Sequence, residues 1–101
     1  MIFEALYESL QRNEIILMDG GMCRWHLRKD GQITILEIIS TKKGIGQKML
    51  EELKSKKASS IFAKCPSDLP ANEWYQKRGF VCEGTQVTKS GRELTLWRLK
   101  L

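Results

Sequence analysis

The stretch STKKGIGQKMLEEL, Ser40 to Leu53, sets two glycines one residue apart behind two lysines and ahead of an amphipathic run. Its two sides define a strand, a glycine turn and a helix. Upstream, QITILEIIS from Gln32 to Ser40 reads as a strand with Ile33, Ile35 and Ile39 on one face and Leu36 and Ile38 on the other. Apolar residues on both faces predict a central strand covered on both sides. The same alternation puts Glu37 with the three isoleucines, where a carboxylate is costly to bury unless something pairs with it or uses it. Downstream, Ile45, Met49, Leu50 and Leu53 form one stripe opposite Gln47, Lys48, Glu51, Glu52 and Lys54, which predicts a helix ending near Lys57. At such a turn, backbone N–H groups converge on the positive end of the helix dipole, a natural seat for an anion, and Lys42 and Lys43 add charge. The Gly-Lys-Ser/Thr ending of a nucleoside-triphosphate loop is missing, as is the third glycine of a dinucleotide-binding turn. Gly44-x-Gly46 by itself is also what a tight strand-to-helix join needs for conformational reasons.

Outward from this unit the elements are short and well punctuated. Phe3, Leu6, Tyr7 and Leu10 recur at helical spacing within Ile2 to Gln11, and Glu14 to Met18 reads as a strand closed by Asp19-Gly20-Gly21. Cys23, Trp25 and Leu27 alternate with Arg24, His26 and Arg28, and Asp30-Gly31 then makes a hairpin turn into the Gln32 strand. SSIFAKC, Ser59 to Cys65, is another strand, followed by the proline-stiffened loop PSDLPAN. NEWYQKR is a short helix stopped by Gly79. Two strands are expected next, one from Phe80 and one from Thr85 to Thr88, then a turn at Ser90-Gly91 and a last strand from Glu93 to Leu101. A helix joining the Gln32–Ser40 strand to the Ile61 strand is a crossover, which makes that pair parallel in a mostly antiparallel sheet. The fold class is α/β of the α+β kind: a mixed central sheet flanked by helices.

Composition narrows the function classes. The 101 residues, 42% of them hydrophobic, suit one domain spanning 1–101. No apolar run approaches the ~20 residues of a membrane-crossing helix, and Glu4 and Glu8 stand where a secretory signal is basic, so the expected location is cytoplasmic, without a membrane. Cys23, Cys65 and Cys82 are widely spaced and odd in number and there is one histidine, so neither a disulfide framework nor a metal site is expected; the cysteines read as buried small hydrophobes. The net charge of +5 favours an anionic partner, with ordinary surface charge as the plainer reading. Nucleic acid is not favoured, because Trp25, Trp74 and Trp97 are scattered through core elements without an interleaved basic stripe.

ITILEIISTKKGIGQKMLEEL followed by NEWYQKRGF resembles the Gcn5-related N-acetyltransferase (GNAT) family, which carries [Arg/Gln]-x-x-Gly-x-[Gly/Ala] between a central strand and a helix and Tyr-x-x-x-Gly-Phe near a later short helix. The resemblance covers about residues 22 to 100. It implies acetyl-coenzyme A as co-substrate and a cleft between the parallel strands. The pyrophosphate would lie on the main-chain N–H groups of Lys43, Gly44, Ile45, Gly46 and Gln47, and the pantetheine along the main chain of Ile38 and Ile39. Tyr75 holds the position of the tyrosine that protonates the leaving thiolate. Thr41 stands where arginine or glutamine is usual, which leaves Lys42 and Lys43 as the side chains at hand for phosphate.

Acetyl transfer to an amine also needs a base. Glu37 is the candidate, since apolar surroundings would raise its pKa; it reads equally as a carboxylate paired with Arg24, Arg28 or a lysine. Tyr75 is otherwise a packed helix tyrosine. Asn72 either caps the short helix or reaches the coenzyme, capping being the commoner role. His26, on a polar strand face, is a solvated histidine or a reserve relay. The function expected is direct acetyl transfer to a primary amine, of a small molecule or a protein, in a ternary complex. The N-terminal part is short for the family, so a homodimer is expected to complete the acceptor wall. The alternative is a non-catalytic module with the same fold that binds coenzyme, protein or nucleic acid.

Overall fold

The computed structural model describes residues 2–101. Nine elements follow one another: α1 (Ile2–Gln11), β1 (Ile15–Met18), β2 (Gly21–Leu27), β3 (Gln32–Ser40), α2 (Ile45–Lys54), β4 (Ser60–Pro66), α3 (Ala71–Lys77), β5 (Val81–Val87) and β6 (Glu93–Lys100). They form one six-stranded sheet in the order β1-β2-β3-β4-β6-β5. Only β3 and β4 run parallel, as the crossover through α2 requires; the other neighbours are antiparallel.

The core lies between the sheet and the α2–α3 side. Met49, Leu50 and Leu53, the predicted stripe of α2, are fully buried on Ile33 and Ile61 of the central strands, with Tyr75 and Phe80 closing the α3 side. Burial of this kind stabilises by roughly 1.5–3 kcal/mol per large side chain. Gly21 lies beneath α2: a Cβ there would stand 2.4 Å from Ile45 Cγ2.

Several expectations need correction. α2 stops at Lys54, three residues early, where Ser55 Oγ turns back to the Glu52 carbonyl, competing with further helical bonding. The two strands expected around Phe80 and Thr85–Thr88 are one strand, β5, in which Gly84 marks a bulge against β6 rather than a break; its φ of +124° suits glycine. Cys82 on β5 is exposed, unlike buried Cys23 and Cys65. α1 forms, yet Phe3, Tyr7 and Leu10 point outward and Ser9 is its buried residue. Nor is β3 covered on both sides. α1 packs against β2, leaving Leu36 and Ile39 open at 45% and 54% exposure.

That last difference has a local cause. Arg24 pairs with Glu37 but Trp25 pairs with Ile35, so Leu36 is an extra residue on β3. Each such bulge shifts the inside–outside alternation by one. Beyond Leu36 it is Ile38, opposite buried Cys23, that faces the core, and Glu37 and Ile39 that face away. Glu37 therefore does not share a face with Ile33 and Ile35, and Ile39 does not either.

Candidate functional site

β3 and β4 are hydrogen-bonded only from Gln32 opposite Ser60 to Ile35 opposite Ala63. Past that point β3 stays with β2 as far as Ser40, and β4 stays with β6 as far as Pro66. The two strands part, and the bulge at Leu36 sits where they begin to do so. Backbone groups on the two inner edges lose their ladder partners there, and such groups need another partner when water is excluded. A cavity of about 230 Å³ opens on the core side, lined by Ile38, Ser40, Gly46, Ala71, Trp74 and Tyr75.

The turn from Thr41 to Gly44 lies between Ser40 and Gly46, both of which line this cavity. Gly44 has φ +85° as the N-cap of α2, with no side-chain cap. Gly46 is needed for space instead: a Cβ would lie 3.2 Å from the Trp74 ring. The two glycines thus answer different demands, one conformational and one of close approach. The amide of Ile45 reaches the Lys42 carbonyl at 3.3 Å, whereas those of Gly46 and Gln47 have no backbone acceptor among the described residues. These unpaired donors in the first turn of α2 face an end where anions are favoured.

Thr41 is turned to a structural task. Its N–H and hydroxyl both donate to the Gly20 carbonyl, at 2.7 and 3.3 Å, anchoring the turn to the β1–β2 connection. Lys42 pairs with Asp19 at 2.5 Å, and Lys43 is exposed.

Tyr75 sits at the opposite side of the cavity, 5% exposed. Its ring meets Trp74 and Phe80 edge-on at 5.2 Å and stacks over Trp97 at 6.2 Å. Burial, and then the nearby Cys65 and Cys23, push its phenol well above the ordinary tyrosine value. The hydroxyl therefore keeps its proton at any physiological pH.

Glu37 is placed otherwise than its sequence alternation implies. It is half-buried on the sheet face away from α2, in an ion pair rather than in apolar surroundings. Arg24 donates to the same oxygen twice, from Nε at 2.9 Å and from Nη2 at 2.8 Å to Oε1. His26 is bound as well, its Nδ1 being 2.9 Å from Oε1 of Glu14, whose other oxygen accepts the Leu27 amide. Asn72 neither caps α3, which begins after Pro70 without a side-chain cap, nor has a free amide. Its Nδ2 donates to the Pro66 and Leu69 carbonyls and its Oδ1 accepts from Trp97 Nε1, so it ties the loop to β6. A coenzyme contact from this side chain would have to break one of those bonds.

Ile38, Gly46 and Tyr75 thus share one cavity, with Gly44 and Gln47 in the turn and helix start beside it; Glu37 and Ile39 face the other side of the sheet, and Asn72 is spent on the loop. Ser40 and Trp74 line the cavity without having been singled out. Ser40 follows from the shifted alternation after Leu36, and Trp74 from its neighbour Tyr75 in sequence. Among the described residues no group of His, Cys, Asp and Glu is arranged to hold a metal, and no helix is long and apolar enough to cross a membrane.

No protein-family model matches the sequence, and no curated protein matches it. Solved structures do. A protein from Desulfovibrio desulfuricans assigned to the GNAT acetyltransferases superposes with a TM-score of 0.74 at 17% identity, over 96% of this chain and 77% of the other. The ribosomal-protein-S18-alanine N-acetyltransferase of Escherichia coli gives 0.70 at 16%, over 96% and 76%. A Bacillus anthracis protein assigned as a streptothricin acetyltransferase, solved with acetyl coenzyme A, gives 0.69 at 20%; the match covers 81% of this chain and 56% of that longer one.

Proposed function

Proceeding from a chain that has the GNAT fold, we propose that it is an acetyl-coenzyme A-dependent N-acetyltransferase acting on a primary amine. One observation carries the reading: the parting of β3 from β4 opens a cavity whose two sides are the unpaired first-turn amides of α2 and the hydroxyl-bearing ring of Tyr75. The co-substrate supplies the acetyl thioester. The N–H groups of residues 43–47 hold its pyrophosphate, that of Ile45 by giving up the Lys42 carbonyl, with the exposed Lys43 beside them. The main chain of Ile38 and Ile39, on the edge that β4 has left, offers donors and acceptors for an extended amide chain and for the thioester carbonyl.

Tyr75, kept protonated by burial, gives its proton to the departing sulfur. Glu37 lies on the same strand next to the parting. Because Arg24 occupies only Oε1, the other oxygen, Oε2, is left to take a proton from the acceptor amine, directly or through a water. Arg24 is then a positioning residue for Glu37. Phe3, Tyr7 and Leu10 on the outer side of α1, with Leu36 and Ile39 on the same side of the sheet, support assembly into a homodimer that completes the acceptor wall.

Calorimetric titration with acetyl-coenzyme A, paired with a free-thiol release assay over a panel of amines, tests the reading. Binding with turnover that collapses in Tyr75→Phe is expected. Absence of coenzyme binding would sink it, and binding without turnover on any amine would leave the non-catalytic module.

A further inference from the structure

On the sheet face away from α2, a second cavity of about 510 Å³ is lined by His26, Arg28, Lys29, Asp30, Thr34 and Leu36. Two of the six, Arg28 and Lys29, are cationic. Asp30, the one acid among them, has one oxygen on the Gln32 amide at 3.0 Å and the other a distant 3.9 Å from Arg28 Nε. Lys29 is exposed and, among the described residues, forms no ion pair. Thr34 Oγ1 is buried and makes no hydrogen bond, a condition that buried hydroxyls rarely tolerate without a ligand or water. Thr34 stands opposite His26 across β2–β3, and its orphan hydroxyl belongs to the same cavity lining as Arg28 and Lys29.

We propose that this cavity seats an anionic group, carboxylate or phosphate, with Arg28 and Lys29 as the charges, Thr34 as the hydroxyl donor and His26 as a flanking wall. Its position names the acceptor class, an inference that rests on the acetyltransferase reading above. Leu36, the bulge residue, borders both this cavity and the start of the parting between β3 and β4. At a strand rise of ~3.3 Å per residue, Thr34 lies roughly 7–10 Å along β3 from the Leu36–Glu37 region where an amine would meet the thioester. The acceptor is therefore a small amine whose anionic group lies about that far from its nitrogen. Guanidinium and ammonium groups are suited to such anions, and each charge-assisted hydrogen bond contributes about a tenfold change or more in affinity.

The test uses the whole chain, labelled for amide NMR and titrated with inorganic phosphate. Saturable shifts at the Lys29, Thr34 and Leu36 amides are expected, weakened about tenfold in Arg28→Ala with Lys29→Ala and again in Thr34→Val. No saturable shift there, or equal shifts in the variants, overturns the proposal whatever the chain's activity. A parallel titration with acetyl-coenzyme A, read at the Gly46 and Gln47 amides, separates the two readings: silence there removes the acceptor assignment while leaving the anion seat. Turnover of matched amines decides the class. An ω-amino carboxylate should exceed its primary amide, or an aminoalkyl phosphate its amino alcohol, by about tenfold in kcat/KM, the two arms telling carboxylate from phosphate; equal rates in both arms overturn the acceptor claim.

Discussion

The two faces of the sheet are built on different physics. The face under α2 and α3 is dry and close-packed, with Ile33, Met49, Leu50, Leu53 and Ile61 fully buried. The opposite face holds paired charges, Arg24 with Glu37 and Arg98 with Glu83, and leaves Leu36 and Ile39 in the open. One face fixes the fold and the other is available for recognition. The strand that joins them, β3, changes allegiance at Leu36: before it the buried side chains are Ile33 and Ile35, after it the register moves by one.

The sharpest way to break this contrast is on the dry side. Tyr75→Phe keeps the ring packing and removes the hydroxyl, so kcat in the thiol-release assay should fall by about 10²–10⁴-fold with coenzyme binding retained. An unchanged kcat would strip the dry face of its chemical role. Leu50→Ala should cost about 2–5 kcal/mol in a urea melt, because a fully buried leucine leaves a cavity. A loss well below that range would mean that the α2 side is less tightly packed than its burial indicates.

A smaller effect reports the same dryness through pH. Burial, reinforced by Glu52, pushes the Cys23 thiol from 9.0 up to about 12. In the unfolded chain it ionises from about pH 9. The folded-state pKa is the higher one, so the thiol's contribution is fully present below pH 9 and is lost as pH rises from 9 towards 12. By pH 10 the loss is on the order of 1 kcal/mol for this group. Cys23→Ala should flatten the slope of stability between pH 8 and 10; a slope as steep as the parent's would show that the thiol is solvated. The smallest change belongs to the open face. In dilute solution, where the chain is a monomer, Leu36→Ser should alter stability by no more than about 0.5 kcal/mol, since that side chain is 45% exposed. A loss of several kcal/mol there would mean that Leu36 is covered within the chain itself, whereas a loss that grows with protein concentration is what the proposed dimer adds.

Much of this was legible in the chain itself. Residues with periodic patterns announced their elements: the Ile45–Leu53 stripe gave α2, the Asp30-Gly31 turn gave the β2–β3 hairpin, and the crossover length gave the parallel pair. The glycine turn and the Tyr75 helix were placed by local signals and meet at one cavity. What escaped were features decided between segments. A bulge is set by how β2 and β3 pair, and the run ILEII alternates acceptably in either register, so Glu37, Ile38 and Ile39 were each assigned to the wrong face. The strand from Phe80 and the strand from Thr85 to Thr88 read as two because their continuity through the bulge at Gly84 is set by pairing with β6. Asn72 has the chemistry of a cap, and only the arrival of Trp97 from β6 shows that its amide is already engaged.

The contact between Gly46 and Trp74 gives the molecule its own optical probe. The indole rests on the bare backbone at the first turn of α2, so whatever settles on that turn changes the polarity beside the chromophore. Trp25 and Trp97, at 6% and 7% exposure, emit from the interior as a steady background. A shift in the emission of the unmodified chain therefore reads occupancy of that turn, with Trp74→Phe as the dark control.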